Sequence, residues 1–267
     1  MAVARPVGAI IFDLDDTLYP EIAFVRSGFR AVAAAFASEL GPGERQGAAG
    51  DTSNIRIAHA QAKTLDRATR ANPGPADVLF EALWAVFNSP DRHRVFDAVI
   101  AQSGRPADAD LVSRMVAAYR AHSPDIRLHA DAERALARLA GRVPLGLISD
   151  GYLITQQNKI DALRLRPRLA AIVLTDERGR EFWKPHPWGF EQAAARLSNA
   201  IRAAGLEGLP PAYVSDNPAK DFVAPNRMGW TTIQIRRPDG VYRDTPAAAG
   251  GAPNHTIASL DELAEWC

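Results

Sequence analysis

The pattern of apolar and polar residues indicates a buried strand close to the start of the chain. The run Ile10–Phe12 follows a proline and a glycine, carries no charge and stops abruptly at acidic residues. Such an uncharged run is typical of a strand that is covered on both faces. Side chains alternate along a strand, so Asp13 and Asp15, which follow the run, are expected to project to the same side.

Two neighbouring carboxylates at this strand end need something that offsets their repulsion. A bound cation, a shared proton or full solvation would each allow Asp13 and Asp15 to lie together. Carboxylate oxygens at close spacing suit Mg²⁺, a hard ion that takes a few carboxylates together with phosphate oxygens and water. On this stretch alone, an ordinary solvated turn is an open alternative.

The next hundred residues have helical periodicity. Apolar residues three and four apart predict a first amphipathic helix, and they are Ile22, Val25, Phe29, Val32, Phe36 and Leu40. Further helical patterns cover residues 55–70, 78–87 and 111–119, with no convincing strand between them. Residues 20–122 are therefore expected to form an all-helical insert.

After residue 122 the pattern alternates between helices and strands. Strands are predicted over residues 143–148, 170–174, 212–214 and 231–235. Helices are predicted over residues 131–139, 153–165, 188–204, 219–228 and 260–266, and an Ala/Gly/Pro-rich tail over 243–254 is expected to be flexible. This alternation is typical of an α/β fold, a doubly wound parallel sheet covered on both faces.

In such a sheet, ligands bind outside the carboxyl ends of the strands. The acidic pair Asp13 and Asp15 follows the first strand, Ser149 and Asp150 follow the second, and Asp216 follows a later one. All three groups are therefore expected to face one crevice.

Composition narrows the classes of partner. Lys plus Arg and Asp plus Glu number 31 each, so no net field attracts nucleic acid or an anionic membrane. The only cysteine is Cys267, which excludes an internal disulfide framework and fits a reducing compartment. The N-terminus lacks a secretory signal pattern and no apolar run reaches membrane-spanning length, so the cytoplasm is the expected location.

Four short motifs, taken in order, resemble those of the haloacid dehalogenase (HAD) superfamily. Asp13–Thr17 matches the first motif, DxDxT, and Ser149 matches the small hydroxyl residue of the second. Lys184, followed by a proline, resembles the third, and Ser215–Asp221 resembles the fourth, GDxxxxD. The resemblance implies a Rossmann-like core formed by residues 1–19 and 123–267, with residues 20–122 as a helical cap of the C1 type.

The resemblance also implies a role for each matching residue. Asp13 would attack phosphorus and form an aspartyl-phosphate, which divides a difficult hydrolysis into two steps. Asp15 would protonate the leaving oxygen and then deprotonate the attacking water. Ser149 and the ammonium of Lys184 would bind the oxygens of the transferring phosphoryl group.

The metal ion implied by the family is Mg²⁺. Its ligands would be the carboxylates of Asp13 and Asp216, the main-chain carbonyl of Asp15 and the phosphate of the substrate. Asp221 would orient this set of ligands from behind.

Two residues depart from the family pattern. Asp150 stands where relatives often carry asparagine, and we include it among the phosphate-site residues although an extra acid beside a phosphate costs electrostatic energy. That cost falls if its carboxylate points away, contacts the metal ligands or binds a substrate hydroxyl. Ser215 replaces the usual glycine of the fourth motif, so the backbone there must accept a side chain.

The helical insert is expected to decide which substrate is used, because a cap that closes over the crevice presents its own residues to the leaving group. A cap of this size suggests a small soluble phosphate ester, such as a sugar phosphate. Arg26 and Arg30 share a face of the first helix and are candidate contacts to the leaving group. The alternative is that both arginines are merely solvated.

The leading hypothesis is a Mg²⁺-dependent phosphomonoesterase. A hexose-phosphate mutase of the same superfamily is a second possibility, because it shares the core and the cap. A third is a non-enzymatic binding protein on an inactive scaffold. The sequence leaves the physiological substrate and the oligomeric state open.

Overall fold

The computed structural model describes residues 6–40 and 73–266, so the helix expected over residues 55–70 lies outside the described residues. The chain divides into two compact units. One comprises Met1–Val25 and Ser123–Cys267, and the other comprises Arg26–His122. The boundary between the units falls within the first helix, α1 (Glu21–Leu40).

A six-stranded parallel sheet forms the centre of the first unit. Its strands are β1 (Ile10–Phe12), β2 (Leu145–Ser149), β3 (Ala171–Leu174), β4 (Ala212–Ser215), β5 (Thr231–Ile235) and β6 (His255–Ile257). They lie in the order β3-β2-β1-β4-β5-β6. The expected doubly wound parallel sheet is confirmed, and β1 lies inside it, with Phe12 paired to Leu147 on one side and Val214 on the other.

The strands are apolar because the sheet is covered on both faces. Every residue of β1, β2 and β4 is buried. On one face the side chains of Ile11 and Tyr213 belong to a core cluster with Phe190 and Leu197. Full burial on both faces explains why these strands appear in the sequence as continuous apolar runs.

After residue 122, the described part of the first unit contains four α-helices, a terminal turn and three further 3-10 turns of three residues each. The helices are α5 (Ala130–Leu139), α6 (Leu153–Ala162), α7 (Trp188–Ala203) and α8 (Val223–Arg227), and the terminal turn is a 3-10 helix over Leu260–Trp266. The helix α8 is shorter than the expected 219–228, because the Asn217 side chain accepts a hydrogen bond from the Ala219 amide and forms a turn at the strand end. Leu260, Leu263 and Trp266 are buried, as expected for a docked terminal helix.

The edge strand β6 was not expected from the sequence. Three residues are too few to show a period, and the Ala/Gly/Pro-rich composition before them suggested a flexible tail. That segment is instead bonded to the core: Asn226 donates to the carbonyls of Gly250 and Ala252. The side chain of Asn254 accepts a hydrogen bond from the Thr232 amide, at 2.8 Å.

The second unit is helical in its described residues. It contains most of α1 together with α2 (Pro75–Phe87), α3 (Val95–Gln102) and α4 (Ala109–Ala121). Its aromatic centre consists of Phe29, Trp84, Phe87, Phe96 and Tyr119. Of the helices in the described part of the chain, none is both long and apolar enough to cross a bilayer.

A partly buried ion pair joins three segments of the first unit. Asp131, in the first turn of α5, accepts hydrogen bonds from the guanidinium of Arg237 and from the Leu260 amide. Arg237 in turn donates to the carbonyl of Thr17, 2.8 Å away. Burial alone would raise the pKa of Asp131, but the Leu260 amide and Arg237 hold it below its usual value.

Asp131→Asn should lower the free energy of unfolding at pH 7 by about 1.5–3 kcal/mol, the usual contribution of a hydrogen bond to a charged group. The depressed pKa means that this stabilisation is present at neutral pH and is lost as the pH falls below about 4, the unfolded value. Denaturant unfolding at pH 7 and pH 3 measures both effects. Asp261→Asn, which removes an exposed pair with Arg134, is the matched control and should change little. If the free energies of unfolding of wild type and Asp131→Asn differed by the same amount at both pH values, the prediction would be contradicted.

Candidate active site

A crevice lies at the carboxyl ends of the parallel strands. Its volume is about 240 Å³, and it is lined by Asp13, Asp15, Asp16, Glu21, Asp150, Gly151, Gln156, Trp183, Asp216, Asn217, Lys220, Asp221 and Tyr242. Asp13 follows β1 and Asp216 follows β4, and these strands are neighbours in the sheet. The structure therefore brings together the acidic groups that the sequence placed at separate strand ends.

Asp13 is buried and paired with Lys184. The ammonium of Lys184 donates to Asp13 Oδ1, and Nζ also lies 2.9 Å from the Tyr213 hydroxyl and 3.1 Å from Asp221 Oδ1. Burial raises the pKa of Asp13 to about 7, against the opposing pull of Lys184. Burial would lower the pKa of Lys184, but Asp13 and Asp221 raise it well above its usual value, so the ammonium is charged.

Asp15 has a different set of partners. Lys159 Nζ lies 2.7 Å from Asp15 Oδ1, the Tyr19 hydroxyl donates to the same oxygen, and Gln156 Nε2 donates to Oδ2 at 3.2 Å. Burial would raise the pKa of Asp15, but Lys159 and the other donors hold it below its usual value. None of these three donors was identified from the sequence.

One signal could have revealed Lys159. Gln156, Lys159 and Ile160 are all buried on α6, with the spacing of one helical face. A lysine at an inward-facing position requires an anionic partner, because a buried ammonium without one is costly. The sequence does not show which aspartate provides that partner.

Three buried carboxylates could hold a metal ion. Asp13, Asp216 and Asp221 each offer an oxygen, and these oxygens lie within 4.8 Å of one another. Among the described residues, Asp216 Oδ2 has no hydrogen-bond partner although it is buried. Burial, followed by the charges of Asp13 and Asp221, raises the pKa of Asp216 to about 9. An oxygen-only donor set, mutual repulsion and an unpartnered carboxylate oxygen together fit a hard divalent cation.

Ser215, one of the two departures from the family pattern, supports this carboxylate group. Its hydroxyl donates to Asp221 Oδ2, and its main chain ends β4. The side chain that replaces glycine is thus used to orient an acid. The main-chain carbonyl of Asp15, expected to bind the metal, is outside the carboxylate group, and its role stays a prediction.

Asp150, the other departure, is compensated by its neighbours. Its carboxylate accepts hydrogen bonds from Thr175 Oγ1 at 2.8 Å, from the Lys184 amide at 3.1 Å and from Lys220 Nζ at 2.8 Å. Burial would raise the pKa of Asp150, but Lys184 and Lys220 hold it below its usual value. The carboxylate thus anchors the segment that carries Lys184, and direct contact with phosphate stays a prediction.

Ser149 ends β2 with its side chain buried, and its hydroxyl lies 3.5 Å from the Asp150 carbonyl oxygen. The chain then turns at Gly151, whose φ of +122° is unfavourable for other residues. A Cβ at this position would lie 2.3 Å from Gln156 Nε2. The glycine therefore allows Gln156 to approach the turn closely.

Arg26 and Arg30 belong to the helical unit. The guanidinium of Arg26 lies 4.8 Å from the centre of the Trp84 ring, and that of Arg30 lies 5.3 Å from the centre of the Phe80 ring. Both arginines are exposed, so these cation–π contacts leave their donors available. Their contact with a substrate stays a prediction.

Comparison with known proteins supports the interpretation of these motifs. The family model described as haloacid dehalogenase-like hydrolase matches residues 7–229. A curated relative, glyceraldehyde 3-phosphate phosphatase of Methanopyrus kandleri, is 26% identical over 261 residues, 96% of this chain and 95% of the relative. The alignment thus extends over nearly the whole of both proteins.

Two solved structures have the same fold at 18% identity, each covering 97% of both chains. The 2-haloacid dehalogenase of Pseudomonas syringae pv. Tomato DC3000 superposes with a TM-score of 0.54. The HAD-hydrolase YfnB of Bacillus subtilis, solved with magnesium bound, superposes with a TM-score of 0.52. The family and the enzymatic class expected from the four motifs are therefore confirmed: the chain belongs to the haloacid dehalogenase-like hydrolases.

Proposed function

We propose that the protein is a phosphomonoesterase that works through an aspartyl-phosphate. The observation that carries this proposal is the buried pair of Asp13 and Lys184, with Asp13 and Asp15 both lining the crevice. A carboxylate held beside a fixed ammonium is suited to attack a phosphoryl group whose oxygens need positive charge.

The proposed reaction has two displacements. A carboxylate oxygen of Asp13 forms a bond to phosphorus as the bond to the ester oxygen breaks, and Asp15 gives its proton to that oxygen. Asp15 then takes a proton from water as the water oxygen attacks phosphorus and the bond to Asp13 breaks. Lys184 remains beside the phosphoryl group in both steps, and inorganic phosphate leaves.

We propose that Mg²⁺ is held by Asp13 and Asp216, with Asp221 orienting the site. When bound, the ion supplies positive charge to the phosphate oxygens and offsets the crowding of carboxylates. The support from this chain is the unpartnered Asp216 oxygen and the oxygen-only donor set.

We propose a small sugar phosphate as the substrate, with residues 20–122 acting as a C1 cap over a core of residues 1–19 and 123–267. Support comes from the full-length relative that is named a glyceraldehyde 3-phosphate phosphatase. A crevice of about 240 Å³ also suits a small ester. The cytoplasm is the proposed location.

Purified protein should release inorganic phosphate from a panel of metabolite phosphates that includes glyceraldehyde 3-phosphate. Asp13→Asn should reduce release to background, because an amide is a poor nucleophile. A colorimetric phosphate assay measures both. Absence of release from every ester would contradict the proposal, and isomerisation that retains the phosphate would indicate a mutase.

Hydrolysis should require a divalent cation. Metal-stripped protein in excess EDTA should be inactive, and Mg²⁺ should restore activity where Ca²⁺ does not, because Ca²⁺ takes longer bonds and a looser geometry. Phosphate release after each addition measures this. Full activity in EDTA would rule out the metal site.

The two cap arginines give a test of substrate selection. Arg26→Ala or Arg30→Ala should lower kcat/KM for the best sugar phosphate by about 10-fold, equivalent to about 1.4 kcal/mol. The same changes should hardly affect 4-nitrophenyl phosphate, whose leaving group lacks hydroxyls. Steady-state kinetics on both esters measure the difference, and equal losses on both would indicate a role in folding of the cap instead.

A further inference from the structure

The carboxylate of Asp15 is held by three hydrogen-bond donors, and their distribution over its two oxygens is unequal. Oδ1 accepts from the Lys159 ammonium at 2.7 Å and from the Tyr19 hydroxyl. Oδ2 accepts from Gln156 Nε2 at 3.2 Å. Each carboxylate oxygen has two lone-pair sites. Lys159 and Tyr19 occupy both sites of Oδ1, whereas Gln156 occupies one site of Oδ2 and leaves the other for a proton.

The position of Lys159 is fixed by its surroundings. Only 2% of the residue is exposed, and Nζ lies 4.4 Å from the centre of the Phe24 ring and 5.9 Å from that of the Tyr19 ring. Aromatic faces attract an ammonium, but they do not replace its hydration. The ammonium is therefore held against Asp15, the carboxylate within its reach.

Gln156 fixes the other side of the carboxylate. Its amide nitrogen donates both to Asp15 Oδ2 and to the carbonyl of Asp150, and two acceptors on one nitrogen determine which way the amide faces. A Cβ at Gly151 would lie 2.3 Å from this nitrogen, so the glycine leaves room for the contact. Hydrogen bonds to both of its oxygens therefore fix the orientation of the Asp15 carboxylate.

We propose that Lys159 is a positioning residue for the acid/base step, and that Asp15 Oδ2 is the oxygen that transfers the proton. The proposal rests on the proposed phosphomonoesterase function. In the first displacement the bond between Oδ2 and its proton breaks as the proton joins the leaving oxygen. In the second, Oδ2 takes a proton from the attacking water. Without Lys159 the carboxylate can rotate, and either oxygen can face away from the substrate.

The variant Lys159→Met tests this with little change in packing, because methionine keeps an unbranched apolar side chain beside the Phe24 ring. Asp15 lines the open crevice, so water can solvate it when the ammonium is removed. We expect kcat for glyceraldehyde 3-phosphate to fall by about 10-fold or more, with KM nearly unchanged. General acid–base catalysis usually contributes about 10²–10⁴-fold to the rate, and a misplaced acid loses part of that contribution. If the panel ranks another alkyl phosphate higher, that ester replaces it.

The ester 4-nitrophenyl phosphate separates the two displacements. Its leaving group needs no proton, so the first turnover should keep a rate within about threefold of wild type, whereas the second step still needs Asp15 as the base. Lys159→Met should therefore show a burst of nitrophenolate followed by slow turnover. A general loss of structure would slow both phases together and would overturn the proposal.

A double-mutant cycle tests whether Lys159 acts through Asp15. In the Asp15→Asn background, Lys159→Met should cost little more in kcat, since the group that it positions is already gone. Additive losses would overturn the proposal. Arg166→Met, which removes an exposed ion pair with Asp161 on the same helix α6, is the matched control. It should not change the ratio of the burst rate to the steady rate.

A second variant covers the case in which Lys159→Met fails to fold, which a thermal melt would reveal. Tyr19→Phe removes one donor to Oδ1 and keeps the buried ring, so it should show a smaller version of the same burst and slow turnover. An unchanged ratio of burst to steady rate in this soluble variant would also overturn the proposal. Wild-type protein that releases no phosphate from any ester would instead contradict the proposed function itself.

Discussion

The structure of the site depends on how buried negative charge is balanced at the end of the central strand. Asp13, Asp216 and Asp221 offer oxygens within 4.8 Å of one another, in a region where carboxylates are poorly solvated. The ammonium of Lys184 lies between two of them and Tyr213, while Asp216 Oδ2 has no partner among the described residues. The Lys184 ammonium offsets part of this charge, and β1, which is paired on both sides, fixes where Asp13 lies.

The two aspartates that follow β1 show how environment separates identical side chains. Burial among other acids raises the pKa of Asp13, whereas Lys159 and two neutral donors lower that of Asp15 in spite of burial. The local environment therefore gives opposite shifts to the pKa values of two carboxyl groups that stand two residues apart. Each carboxylate has its own lysine, Lys184 for Asp13 and Lys159 for Asp15.

Much of the fold and half of the site could be predicted from the sequence because their signals are local. Buried parallel strands appear as uncharged runs, and the carboxyl ends of such strands share one edge, so the order of residues alone was enough to place Asp13 and Asp216 together. Lys159 could not be assigned, because its partner lies 144 residues away in the chain and only folding brings them together. The strand β6 could not be predicted for another reason: its three residues are too few to show a period.

The two departures from the family pattern are linked by one segment. Asp150 adds a negative charge at the end of β2, and Lys220 of the fourth motif pairs with it at 2.8 Å. Ser215 adds a side chain at the end of β4, and its hydroxyl bonds to Asp221 of the same motif. Because β2 and β4 flank β1, a change at either end acts on the charge around Asp13. The segment 215–221 therefore compensates both departures, which is why neither one disturbs the pairing of Asp13 with Lys184.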